Sequence, residues 1–200
     1  MDLQEHLDLV DWRRRVGDAY RLGSVEAWRA ARERLFAEHP QSPIPPLARA
    51  AFAGLRWFPA DPAYRVAARV EPSDDAPVEI DTGGEDGIVR FRRAGSLRFA
   101  LHGEDCSLTV LALVGYGSGL FVPFRDGTSG SETYGGGRYL MDTVKCTDAG
   151  CLSITPGSTE VVIDFNYAYH PSCVYDVRWA CPLAPAENRL PVPVRAGERL

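Results

Sequence analysis

From Tyr64 onward the chain changes period. Tyr64-Arg-Val-Ala-Ala-Arg-Val-Glu71 alternates along its length, whereas residues 2–38 repeat their apolar positions at helical spacing. Period 2 puts every second side chain on one face of a strand, and a spacing of three or four draws a stripe along a helix. A chain that does both, in that order, is held to helices first and sheet second. In the helical part Leu3, Leu7, Val10, Trp12 and Val16 recur, then Trp28, Leu35 and Phe36, with a break at Leu22-Gly23-Ser24. This predicts two helices, 3–21 and 25–38, the second capped by Ser24 and ended by His39-Pro40, because proline disfavours a helical residue before it. Gln41 to Pro46 is an extended proline-rich connector, and Leu47 to Leu55 a short helix closed by Gly54.

After Tyr64 further strands are expected at 77–81, 87–93, 96–102, 105–114, 118–124, 138–145 and 159–166, with tight turns at Gly95-Ser96 and Gly103-Glu-Asp105. Short strands at regular spacing suit an antiparallel arrangement. From Tyr167 to Leu200 the chain is proline-rich and irregular, yet too apolar for disorder. The expected fold is mainly β (α+β): an antiparallel β-barrel or roll preceded by N-terminal helices, with the irregular C-terminal segment packed across it. Residues 1–46 hold the helices and connector and 47–200 the β domain, together one folding unit.

Several classes of function are disfavoured by charge and patterning. The net charge of −5 and scattered arginines give no polyanion footprint, so no nucleic-acid partner is expected. No apolar run approaches the ~20 residues of a membrane helix, and the charged start MDLQEHLDLVDWRRR lacks a signal-peptide core, so a cytoplasmic protein without a membrane partner is expected. Five cysteines, an odd number, point to free thiols; Cys146 and Cys151 flank a turn-like tetrapeptide and are able to pair under oxidation.

Three constellations carry possible chemistry. The first is DGTSGSETYGGGRY (126–139), five glycines and six hydroxyls between two strands. Glycine amides in a nest hold anions, and Arg138 is able to clamp a carboxylate or phosphate; alternatively Arg138 pairs with Asp126 or Glu132 within a tight loop. Ser129 and Ser131 lack a nucleophile elbow and read as turn hydroxyls. The second is Asp164-Phe-Asn166 with Tyr169 and His170. Asp164 in an apolar strand needs a partner, Arg125 or Arg138, as a buried ion pair or as part of a ligand site. The third, His170-x2-Cys173-x7-Cys181, lacks a fourth zinc ligand, so no metal and no cofactor are expected. Cys173 as a nucleophile has only His170 near it in sequence.

HPQSPIPP (39–46), GLRWFPADPAYR (54–65), PFRDGTSGSETYGGGRYL (123–140) and VIDFNYAYHPSCVYDVRWACPLAPAENRLPVPVRAGE (162–198) resemble domain-of-unknown-function family 1684 over roughly residues 25–199. The resemblance implies an N-terminal helical segment, a mostly β core, and one recurring site made by the glycine loop and the C-terminal segment. This chain has Tyr169-His170-Pro171 where the family usually has Tyr-Asn-Pro, and it is longer around Lys145–Cys151.

The expected function is binding of a small polar or anionic molecule between the 125–139 loop and the 164–188 segment. Its candidate ligand-binding residues are Arg125, Asp126, Thr128, Glu132, Tyr134, Gly136, Arg138, Tyr139, Asp164, Asn166, Tyr169 and Asn188. One alternative is a small hydrolase-like enzyme using Asp126, Asp164, His170 or Cys173. The other is a protein-interaction module presenting Tyr175 and Trp179.

Overall fold

The N-terminal helices form where caps and breakers allow them. The computed structural model describes residues 2–145, 152–154 and 157–200. Helix α1 spans Leu3–Tyr20; the Asp2 side chain accepts from the Glu5 amide while Glu5 reaches back to the Asp2 amide, a capping box. Helix α2 spans Val25–Glu38, with Ser24 Oγ accepting from the Ala27 amide at 3.1 Å and extended backbone at His39, before Pro40. The predicted third helix is shorter and tighter, a 3-10 turn over Pro46–Ala51. None of its residues is buried and Leu47 is fully exposed, so no apolar face exists to extend it.

The strands are β1 (Arg56–Trp57), β2 (Arg65–Glu71), β3 (Pro77–Asp81), β4 (Ile88–Leu101), β5 (Glu104–Leu113), β6 (Leu120–Phe124), β7 (Arg138–Asp142), β8 (Leu152–Ile154), β9 (Glu160–Asp164) and β10 (Glu198–Arg199). β1 and β10 pair by themselves; the others form an antiparallel half-barrel sheet ordered β7-β6-β5-β4-β2-β9-β8, with β3 on β4. The turn predicted at Gly95-Ser96 is not made. β4 runs through it with a register shift between Arg93 and Gly95. Here glycine serves close approach, since a Cβ on Gly95 would lie 2.9 Å from the Glu71 carbonyl oxygen of β2. The strand expected over 138–145 ends at Asp142 and gives way to a 3-10 turn over Thr143–Lys145; that expected over 159–166 ends at Asp164. The possible pairing of Cys146 with Cys151 lies outside the described residues.

One apolar core joins the helices to the sheet: Trp28 and Ala19 pack with Phe99, Leu108, Phe124 and Ile163, and with Leu190, Val192, Val194 and Ala196 of the C-terminal segment. A smaller cluster of Ile80, Phe91, Leu111, Phe121 and Tyr139 forms a second core. The C-terminal segment is irregular yet hydrogen-bonded throughout. It closes the edge of β7 by a two-way bridge, Tyr139 amide to Tyr169 carbonyl at 2.8 Å and the reverse at 3.1 Å. It continues along the loop, with the Arg125 amide on the Asn188 carbonyl and the Leu190 amide on that of Arg125. All five residues of β7 are buried as a result.

Candidate functional site

The glycine loop closes around one of its own side chains. Gly137 takes φ +98°, which turns the chain into β7, and a Cβ there would strike the Phe124 carbonyl. The turn sends Arg138 inward, where Nη2 donates to Asp126 Oδ2 at 2.7 Å with neither side chain exposed. The same guanidinium donates to the carbonyls of Val194, Ala196 and Glu198 at 2.7, 2.5 and 3.1 Å, fixing the tail beneath the loop. Asp126 Oδ1 accepts from the Thr128 amide at 2.6 Å and its hydroxyl at 2.5 Å, and that hydroxyl meets the Thr133 hydroxyl at 2.9 Å. Ser129 Oγ accepts from the Asp126 amide, and Ser131 Oγ donates to the Thr128 carbonyl. Burial draws the Arg138 pKa down, and Asp126 works against that. Asp126, Thr128 and Arg138 are thus committed to one another and to the tail. Glu132 sits at the rim and pairs with Arg195 at 2.9 Å.

Asp164 does not take the arginine expected for it, because Arg138 is spent on Asp126. Asn166 serves Asp164 instead: its amide and Nδ2 donate to Asp164 Oδ1 at 2.9 and 2.8 Å. Asn166 also clasps the Asp61 backbone, accepting from its amide and donating to its carbonyl. Asn188, fully buried, does the same for Thr109, at 2.8 and 3.0 Å, and donates to the Pro123 carbonyl at 2.8 Å. Arg125 contributes backbone bonds to the segment, and its Nε is buried without a partner. Among the described residues no three His, Cys, Asp or Glu side chains gather as metal ligands.

The two predicted segments do meet. The Tyr134 amide donates to His170 Nε2 at 3.2 Å, the Ala184 amide to the Gly136 carbonyl at 3.4 Å, and the Tyr139 hydroxyl to the Pro182 carbonyl at 2.7 Å. Because His170 Nε2 accepts, the neutral ring carries its proton on Nδ1, 3.9 Å from Glu198 Oε1. Burial, then repulsion from Arg138 and Arg32, lowers the His170 pKa to about 3. Burial raises that of Glu198, against the pull of Arg32. The Cys173 thiol lies against Cys181 and Tyr134, and its hydrogen bond with Cys181, then burial, pushes its pKa far up, away from thiolate.

Beside this contact lies a cavity of about 200 Å³ between the two helices and the 169–179 segment, with Tyr139 and Asp142 of β7 in its wall. Its lining is mainly apolar and aromatic, including Trp12, Trp28, Phe36 and Tyr169. Arg32 lines it, with its guanidinium carbon 4.5 Å from the centre of the Phe36 ring and 4.6 Å from that of Tyr169, and Nη2 on Glu198 Oε2 at 3.3 Å. Glu198 Oε2 in turn accepts the His170 amide at 3.1 Å. Three donors on lining residues are buried without a partner: Arg13 Nε, Arg32 Nε and Trp179 Nε1. Tyr175 and Trp179, expected to present themselves to a partner, turn inward: Tyr175 packs edge-on against Phe36 at 5.1 Å and Trp179 joins the lining.

Of the predicted ligand-binding residues, Tyr139 and Tyr169 reach this cavity, and His170 reaches it from among the catalytic candidates. The helical half of the wall was not anticipated. Its signal was Arg32, four residues after Trp28 and four before Phe36, a charge inside the apolar stripe of α2.

Residues 50–199 match the family described as "Protein of unknown function (DUF1684)". Among solved structures, the chain is similar to an uncharacterised protein of Haloarcula marismortui determined by solution NMR. The identity is 40%, over 88% of this chain and 91% of that one, with a TM-score of 0.62. No curated protein matches the sequence.

Proposed function

We propose, for a chain that belongs to the DUF1684 family of proteins of unknown function, that it binds a small polar or anionic molecule, and that the binding place is the cavity between α1, α2 and the 169–179 segment. The site lies beside the contact of the glycine loop with the C-terminal segment, and draws Tyr139 and Tyr169 from them. One observation carries this: an aromatic-lined cavity whose wall residues hold three buried N–H donors, Arg13 Nε, Arg32 Nε and Trp179 Nε1, without acceptors. An unpaired buried donor costs on the order of 1–3 kcal/mol, and a ligand oxygen relieves that cost. A mainly apolar pocket with a few convergent polar groups is the usual form of a small-molecule site.

The glycine loop supports the site indirectly. Arg138 fixes the tail, the tail carries Glu198, and Glu198 holds both Arg32 and the His170 amide. The test is a thermal-shift screen of small acids and polar metabolites on the wild type and on Val16→Trp, which fills the cavity from α1. Compounds that stabilise the wild type and leave Val16→Trp unmoved are expected. A screen in which every active compound stabilises both proteins equally overturns the assignment.

A further inference from the structure

Resting on that reading, we infer that the occupant is a small monocarboxylate with an apolar, ring-sized body, of the aryl-carboxylate class. Size sets the first bound. The cavity holds about 200 Å³, somewhat more than the ~150 Å³ apolar cavity that accepts a benzene ring. One ring and a carboxylate suit that space, whereas a nucleotide exceeds it.

The wall sets the second bound. Trp12, Phe36 and Tyr169 offer ring faces and edges: Trp12 and Phe36 lie 5.9 Å apart, tilted, and the Arg32 guanidinium carbon lies within 4.6 Å of the Tyr169 ring centre and 4.5 Å of that of Phe36. Such a wall favours a flat apolar body over a hydroxylated one.

The unpartnered groups set the third. All three are N–H donors, two of them on guanidinium groups. They call for acceptor oxygens bearing negative charge, the strong case of hydrogen bonding. Arg32 already shares its charge with Glu198. Arg13, on α1, forms no ion pair among the described residues, so it is the cation left for a ligand. Asp142 is the acidic group in the wall, and its charge adds to the burial that raises the hydroxyl pKa values of Tyr139 and Tyr169. A carboxylate is therefore expected on Arg13, with its ring against the aromatic part of the wall. Dianionic phosphates add charge that Asp142 opposes.

Isothermal titration with phenylacetate and with its uncharged isostere phenylacetamide tests this on the wild type, Arg13→Gln and Val16→Trp. Phenylacetate is expected to bind the wild type at least tenfold tighter than the amide. In Arg13→Gln that preference falls to within about twofold, and in Val16→Trp both ligands are lost. If the amide binds as tightly as the acid, or the preference survives in Arg13→Gln, the carboxylate assignment is overturned while the cavity remains a binding site. If neither ligand binds the wild type at millimolar concentration, the ring-sized carboxylate is likewise overturned. The cavity site then stands or falls on the thermal-shift comparison with Val16→Trp.

Discussion

Arg138 Nη2 lies 2.7 Å from Asp126 Oδ2, and both side chains are wholly removed from solvent. A glycine-rich loop that looks made to receive an external anion thus receives the protein's own arginine. The same arginine hands three of its hydrogen bonds to the carbonyls of the tail.

The pair is expected to behave as a buried charge pair does: removing one partner strands the other. Asp126→Ala leaves Arg138 charged, buried and without its counter-ion, and costs about 3–5 kcal/mol. Urea denaturation of Asp126→Ala, Arg138→Met and the double variant measures this. The double variant is expected to be less destabilised than the sum of the singles. Additive losses would show that the two side chains act independently.

The glycines of the loop are not equivalent. A Cβ at Gly137 needs φ +98° and meets the Phe124 carbonyl, which is backbone and cannot swing away. Gly137→Ala is expected to cost more than about 2 kcal/mol. A Cβ at Gly136 meets the Tyr134 ring and lies 3.0 Å from Leu183, both movable side chains, so Gly136→Ala costs less, on the order of 1 kcal/mol. Ser131→Ala removes one hydroxyl at an exposed position and stays within about 0.5 kcal/mol of the wild type. Denaturation midpoints that rank Gly136→Ala above Gly137→Ala in cost contradict this geometry.

His170 makes the protein sensitive to acid. Its pKa falls from 6.5 in the unfolded chain to about 3 in the folded one. Between those values the unfolded state binds the extra proton, so stability declines as pH falls from about 6.5 toward 3. At ~1.4 kcal/mol per unit the loss is at most about 5 kcal/mol. Glu198 acts in the opposite direction. Its pKa is raised on folding, so its contribution is fully present below 4.5 and is lost as pH rises through the folded value. His170→Asn, which keeps an acceptor for the Tyr134 amide, is expected to flatten the decline between pH 6.5 and 3. An unchanged pH profile in His170→Asn locates the acid sensitivity elsewhere.

Asn188 is the tie between the tail and the sheet. Asn188→Leu removes three hydrogen bonds and leaves the Thr109 amide and two carbonyls unpaired in the interior, at a cost of about 3 kcal/mol. Hydrogen exchange is expected to accelerate at Arg125 and Leu190, whose amides lie in the bridge it anchors. Unchanged protection there would mean that the tail is held by its other contacts.

What was legible in the sequence was local. Ser24 and Pro40 mark the bounds of α2 because capping and proline geometry act within a turn. The alternation of 65–71 marks β2 because a half-buried strand must alternate. Gly95 misled, since glycine serves a turn and a close strand approach equally well, and the choice depends on Glu71, which lies 24 positions away and packs there only in the folded sheet. Arg138 and Asp126 were near enough in sequence to be paired as an alternative to a ligand clamp. The carbonyls of Val194, Ala196 and Glu198 that complete the arrangement were not visible, because a backbone oxygen carries no residue signature. The cavity was hidden for the same reason of distance: Trp12, Arg13 and Arg32 are more than 100 residues from Tyr139 and Tyr169, and only the misplaced charge of Arg32 in its stripe hinted at a polar site.

The most direct measurement is the indole N–H region of the two-dimensional ¹H–¹⁵N spectrum, recorded as a small acid selected by the screen is titrated in. Of the four tryptophans, Trp12, Trp28 and Trp179 line the cavity, while Trp57 stands behind the wall, edge-on to Trp28 at 5.4 Å and with its Nε1 on Glu33 Oε1 at 2.7 Å. Binding in the cavity predicts saturable shifts of Trp12 and Trp179, the latter moving downfield as Nε1 gains an acceptor, with the 127–132 amides unmoved. Shifts of the 127–137 amides, with Trp12 and Trp179 stationary, would place the ligand at the glycine loop and contradict the cavity as the site.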